Sequence, residues 1–161
     1  MLFAHEPEGI VVVNRERPFG ILYECKSRRE AYRMTSDDLL RYREYIDKQR
    51  QRTRHKEHVE LTHFVIVSSG FEGDTDERLK RLQQEGVVPC LVRADLIATA
   101  YRMIRHLEYA DVQLLDLRRL LQAGIIAQAA LHDCVCGRQC LCRDPEFTEL
   151  AAERKHSRLR T

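Results

Sequence analysis

The stretch Pro7–Lys26, PEGIVVVNRERPFGILYECK, decides how this chain is read. Two apolar runs, Ile10–Val13 and Phe19–Tyr23, flank the polar segment Asn14–Pro18. Runs rich in Val, Ile and aromatics, bounded by turn formers, read as strands, so the stretch predicts a hairpin. Folded about Glu16, the hairpin sets Glu8 opposite Glu24. Directly opposed strand residues have Cβ atoms about 4.5–5.5 Å apart. Side chains alternate along a strand, so Glu24 and Lys26 share a face and Cys25 takes the other. Two carboxylates and an ammonium are thereby expected at one end of a sheet. Close anions cannot both ionise cheaply, and the pair calls for a divalent cation. Hard oxygen ligands suit Mg²⁺, or Mn²⁺ in its place, held by one or two carboxylates with water and substrate phosphates completing the shell.

With 161 residues, 43% of them hydrophobic and 32% charged, the chain fits one ordinary globular domain with a substantial core. No apolar run approaches the ~20 residues of a membrane span, and no secretory signal opens the chain. A soluble, cytoplasmic protein is expected. The net charge of +2 does not by itself demand a nucleic-acid partner, but its distribution is uneven. Lys48, Arg50, Arg52, Arg54 and Lys56 share one polar stretch with His55 and His58, opposed only by Glu57. Arg154, Lys155, His156, Arg158 and Arg160 close the chain. Both clusters are candidate phosphate contacts. The first reads equally as a solvated helix end, and the second better as a frayed tail.

Of the six cysteines, Cys25 and Cys90 read as small apolar core residues. Cys134, Cys136, Cys140 and Cys142 form a Cys-x-Cys-x₃-Cys-x-Cys group. With no secretory signal a disulfide framework is disfavoured. Four thiolates can hold a tetrahedral structural Zn²⁺, with His132 as a substitute ligand, although zinc knuckles use wider gaps. Reduced surface thiols are the alternative.

Beyond the hairpin, Thr35 or Ser36 is a helix N-cap, and Asp37 and Asp38 complement the first turn. Leu39, Tyr42 and Ile46 follow helical spacing, predicting a helix to about Arg50 that extends into the basic stretch in the longer reading. The apolar run His63–Ser68 predicts a central strand buried on both faces. Asp74–Asp76 open a helix that Gly86 ends. Val87–Val92 is a further strand, which Pro89 assigns to an edge or bulge. Helices are expected over Ala94–Leu107, over Asp111–Gln122 and, after Gly124, over Ile125–Leu131. The order predicts an α/β protein with a central mixed sheet flanked by helices.

These features resemble the PD-(D/E)xK nuclease superfamily, whose signature is Pro-Asp, a variable gap, then Asp or Glu, any residue, and Lys. Within it the chain is most similar to the cleavage domains of FokI-like type IIS restriction endonucleases. Pro7–Ile10 resembles the start of that family's catalytic hairpin and Gly20–Lys26 its second strand. Asp37–Tyr42 is similar to the following helix, Phe64–Gly73 to the next strand and glycine loop, and Arg78–Leu82 to the helix after it. The similarity covers roughly residues 7–125.

The resemblance implies a restriction-endonuclease-like fold over residues 1–132, followed by a Cys-rich segment and basic tail over 133–161. It implies a metal-dependent DNA endonuclease with little sequence specificity of its own, hydrolysing phosphodiesters of double-stranded DNA to leave 5′-phosphates. Carried over residue by residue, Glu8 and Glu24 hold the metal together with the backbone carbonyl of Cys25, and Lys26 is the catalytic lysine. Asp37 and Arg41 take the positions of a dimer contact, although at i,i+4 they suit an intrahelical pair as well. A homodimer, or a separate DNA-recognition domain or subunit, is implied. Glu8 departs from the usual Asp by one methylene, and the six residues before Pro7 contain no counterpart of the family's leading helical segment. The alternatives are an inert DNA-binding or assembly subunit on the same fold, and a repair or junction-type nuclease.

Overall fold

The computed structural model describes residues 8–14, 17–26, 30–56, 58–73, 75–104 and 117–131. The predicted hairpin forms from β1 (Gly9–Val13) and β2 (Phe19–Lys26). Helix α1 (Ser36–Lys56) leads to β3 (Leu61–Ser68), then α2 (Asp76–Gln83) to β4 (Val88–Arg93). Helix α3 (Ala94–Ile104), the short α4 (Leu117–Leu120) and β5 (Gly124–Ile125) follow, and a helical turn covers 128–131. The strands lie in the order β1-β2-β3-β4-β5, with β1 antiparallel to β2 and every other pair parallel.

Alternation along the strands divides the apolar residues between two layers. Leu22, Phe64, Ile66 and Leu91 face α1 and α2, packing on Tyr42, Ile46, Leu79 and Leu82. Phe19, Ile21, Val65, Cys90 and Val92 face the other way, toward Leu96 of α3 and Leu117 and Leu120 of α4. The central strands are therefore apolar on both faces, as parallel strands covered by helices must be.

Helix α1 starts on a reciprocal cap. Asp38 N donates to Thr35 Oγ1 at 3.1 Å, while Thr35 N and Oγ1 donate to Asp38 Oδ2 at 3.0 and 2.8 Å. The helix continues past the limit set by apolar spacing, because its buried stripe turns polar. After Leu39, Tyr42 and Ile46 the next inward positions are Gln49 and Thr53, both buried. Thr53 Oγ1 satisfies itself on the Gln49 carbonyl at 2.9 Å.

Two other readings are revised. Gly124 and Ile125 pair with Cys90 and Leu91 as a fifth strand, and the helix expected over Ile125–Leu131 is found only over 128–131. Two residues are too few to show a period of two. Strand β4 lies inside the sheet, yet Pro89 precedes its short ladder with β5, so the imino group stands where that ladder has not begun. At Gly86, which follows the last turn of α2 with φ +75°, the left-handed conformation favours glycine. No helix among the described residues is long and apolar enough to cross a membrane.

Candidate active site

Strands β1 and β2 pair in the anticipated register, Gly9 with Tyr23 through Val13 with Phe19. Continued by one residue, it sets Glu8 across from Glu24. Glu8 is exposed at the start of β1, whereas Glu24 is 8% exposed near the end of β2. Gly9 leaves room for its cross-strand partner, since a Cβ there would lie 2.7 Å from the Tyr23 hydroxyl.

Glu24 and Lys26 follow Leu22 on the face that packs against α1. Lys26 Nζ donates to Glu24 Oε1 at 2.7 Å, and both side chains are nearly enclosed, at 14% and 11% exposure. Glu24 Oε2 is buried with no hydrogen-bond partner among the described residues. Ser68, ending β3, donates to the Lys26 carbonyl at 3.4 Å and ties the two parallel strand ends together.

Cys25 points to the opposite face and is exposed, not a core residue as its apolar character suggested, because it stands at the end of β2 where the helical cover stops short of it. Its side chain lines an apolar cavity of about 430 Å³ together with Tyr23, Val67, Val92 and Leu96. Burial first, then the negative charges of Glu8 and Glu24, push its thiol above the ordinary range. Cys90 is buried, and that burial pushes its thiol up to about 12.

A polar set missed by the sequence reading lies behind Lys26. Tyr32 is pinned to the glycine loop after β3: its N–H donates to the Gly70 carbonyl at 2.8 Å, and Glu72 N–H donates to its carbonyl at 3.1 Å. The Tyr32 and Tyr42 hydroxyls lie 2.7 Å apart. Burial pushes the Asp38 carboxyl up, but the two Thr35 bonds, one from the Tyr32 hydroxyl and the charge of Lys26 outweigh it and hold it below its usual range. With the Tyr32 proton given to Asp38, Tyr42 donates to Tyr32. Burial and that bond raise the Tyr42 phenol far above its ordinary value. In the sequence Tyr42 shows only as a member of the helical stripe Leu39, Tyr42 and Ile46, and Tyr32 carries no local signal.

The remaining candidates separate from this centre. Helix α1 connects the C-terminal end of β2 to the N-terminal end of β3, so its C-terminal half runs to the far end of the sheet. At 1.5 Å per residue, Arg52 stands about 20 Å along the axis from Asp38. Lys48, Arg52 and Arg54 are exposed there. Arg50 instead donates to the Glu85 carbonyl and pairs with Asp47 at 3.6 Å, clamping the end of α2. Lys56 belongs to the last turn of α1. Asp37 is exposed and Arg41 half-buried in the first turns of α1, and no ion pair joins them. His63, given no role from sequence, is buried beside Phe19. His132, Cys134, Cys136, Cys140, Cys142 and the basic tail lie outside the described residues.

A mixed sheet between two helical layers, with an acidic residue and a lysine at the end of an inner strand, defines a restriction-endonuclease-like α/β protein. Residues 3–125 match the family model described as FokI, cleavage domain, and the chain belongs to that family. The solved structure of restriction endonuclease FokI is similar with a TM-score of 0.61 at 18% identity, over 75% of this chain and 23% of that one. FokI bound to DNA gives 0.54 at the same identity and coverage. The chain thus spans about a quarter of the length of these FokI chains. No curated protein matches the chain.

The donor set suits a divalent cation in kind. Glu24 Oε2 is a buried anionic oxygen with no described partner, and the β1–β2 register continued one residue beyond Gly9 and Tyr23 sets Glu8 opposite Glu24. Among the described residues no group of three or more His, Cys, Asp or Glu stands ready to enclose an ion.

Proposed function

We propose that this chain is a divalent-metal-dependent DNA endonuclease domain that hydrolyses phosphodiesters at Glu8, Glu24 and Lys26. One observation carries the reading: a buried Glu24 keeps one oxygen without a partner while its other oxygen holds the Lys26 ammonium at 2.7 Å. A purely structural ion pair at this burial would be expected to satisfy its remaining oxygen, since an unmade buried bond costs about 1–3 kcal/mol.

Glu8, Glu24 and the Cys25 carbonyl would hold the cation, which supplies polarisation of the phosphoryl oxygens and acidification of water. Lys26 orients the attacking water and offsets the charge that builds on the phosphate. Glu24 and the rings of Tyr32 and Tyr42 surround that ammonium, so Lys26 is assigned electrostatic stabilisation and not general-base duty. In-line attack leaves a 5′-phosphate, in keeping with the family. Lys48, Arg52 and Arg54, exposed on α1, would add salt-sensitive contacts to the DNA backbone.

One such site cuts one strand, so a double-strand break requires a second copy or a partner, for which the first turns of α1 with Asp37 and Arg41 are the proposed contact. The test incubates the protein with supercoiled plasmid and Mg²⁺ beside Glu24→Ala and Lys26→Ala. Nicking by the wild type alone supports the site. Equal cleavage by all three, or retained DNA binding with no cleavage by any, sinks it, the latter in favour of an inert DNA-binding subunit.

A further inference from the structure

We infer that Tyr32 and Tyr42 are positioning residues that clamp Lys26 between their ring faces and aim its ammonium at the scissile phosphate. The inference rests on the reading of Lys26 as the cation of the active site.

Lys26 Nζ lies 5.3 Å from the Tyr42 ring centroid and 5.7 Å from that of Tyr32. Both distances are within the ~6 Å over which a ring face attracts a cation. The two rings are fully buried, at 1% and 0% exposure, and such contacts strengthen as water is removed. Each ring is itself immobilised. The hydroxyls are bonded to each other at 2.7 Å, and Asp38 anchors Tyr32 through the cap of α1. The Tyr32 main chain is stitched to Gly70 and Glu72, and the Tyr42 ring packs edge-on against Phe64 at 4.9 Å.

The chemistry of the clamp matters as much as its rigidity. An ammonium has three N–H donors. Glu24 Oε1 takes one, and a ring face attracts the charge without accepting a full ion pair. The remaining donors are therefore left for phosphate or water, where a second carboxylate in place of the rings would have consumed them. A flexible four-carbon stem otherwise spreads the ammonium over many rotamers. The rings narrow that spread before substrate arrives.

The experiment measures single-turnover nicking of supercoiled plasmid with Mg²⁺ for wild type, Tyr42→Leu, Tyr32→Leu, Tyr42→Phe and Lys26→Ala. DNA affinity in chelator is measured alongside. Tyr42→Leu and Tyr32→Leu are expected to lower the rate about 10- to 30-fold, with DNA affinity within about twofold of wild type. Tyr42→Phe, which keeps the ring and loses only the hydroxyl, is expected to recover most of that loss. Proton NMR of the unaltered protein supplies a reading independent of activity and of variant folding: the Lys26 ε-methylene is expected upfield of ordinary lysines through the ring currents.

If Lys26→Ala is inactive while both leucine variants cleave at the wild-type rate, the clamp is wrong and the site stands. If Lys26→Ala cleaves normally, the site reading falls and the clamp with it. An unshifted Lys26 ε-methylene overturns the clamp without reference to any variant.

Discussion

Asp38→Ala is the substitution whose consequence is best worked from the structure. Asp38 Oδ2 accepts from Thr35 N at 3.0 Å and Thr35 Oγ1 at 2.8 Å, and the Tyr32 hydroxyl donates to the same carboxylate. Loss of the cap costs about 1 kcal/mol. Loss of a carboxylate from the first helical turn adds about 0.3–1 kcal/mol. Depriving the buried Tyr32 hydroxyl of its acceptor adds about 1–3 kcal/mol, and the better helix propensity of Ala returns about 0.5 kcal/mol. The sum is about 2–4 kcal/mol, or a fall in Tm of roughly 5–15 °C for a chain of this size.

Because the folded Asp38 carboxyl lies below its ordinary value, its contribution is fully present above the unfolded pKa of about 3.9 and is lost as pH falls through the folded value. Urea denaturation of both proteins is therefore expected to give a constant difference from about pH 5 to 8 that shrinks below about pH 4. A difference under about 0.5 kcal/mol at neutral pH, or one that persists undiminished in acid, would refute the assigned network.

Other perturbations have equally definite signs. Burial, then the nearby Arg118 charge, lower the His63 pKa against the opposing effect of a main-chain bond at Leu121. The unfolded chain takes up that proton near pH 6.5, so stability should decline as pH drops below this value, and His63→Gln should remove that decline in urea titrations. Gly86→Ala forces a left-handed conformation with its Cβ 3.4 Å from the Arg50 guanidinium, for an expected loss of about 1–2 kcal/mol by chemical denaturation. Mg²⁺ at about 100 times its dissociation constant should stabilise the wild type by about 2.7 kcal/mol and raise Tm by roughly 5–10 °C. Glu24→Ala should show no such rise in differential scanning fluorimetry, and an equal shift in both proteins would remove Glu24 from the metal site.

Where local chemistry was strong, the sequence carried the structure. The β1–β2 register, the Thr35–Asp38 helix start and the β3 strand all follow from short-range patterns of polarity, turn formers and capping groups. Where burial departed from hydrophobicity, the pattern ran out. Helix α1 outlasts its apolar stripe because Gln49 and Thr53 occupy inward positions. Strand β5 exists because β4 offers an edge to Gly124 and Ile125, and two residues have no period to read. The basic stretch looked like one surface in sequence, yet Arg50 is drawn into a main-chain clamp.

The sequence by itself determined the chemistry at the end of β2, since strand alternation and hairpin register are properties of neighbouring residues. It dictated that Glu24 and Lys26 share a face, that Cys25 opposes them, and that Glu8 stands across the ladder. Only the tertiary structure decided what surrounds them. Tyr32, Tyr42 and Asp38 reach Lys26 from a connection and a helix, and the basic end of α1 lies about 20 Å away along that helix. Those relations depend on how α1 crosses the sheet and how the loop after β3 holds Tyr32. They arise from packing and hydrogen bonds between distant segments, which no local periodicity encodes.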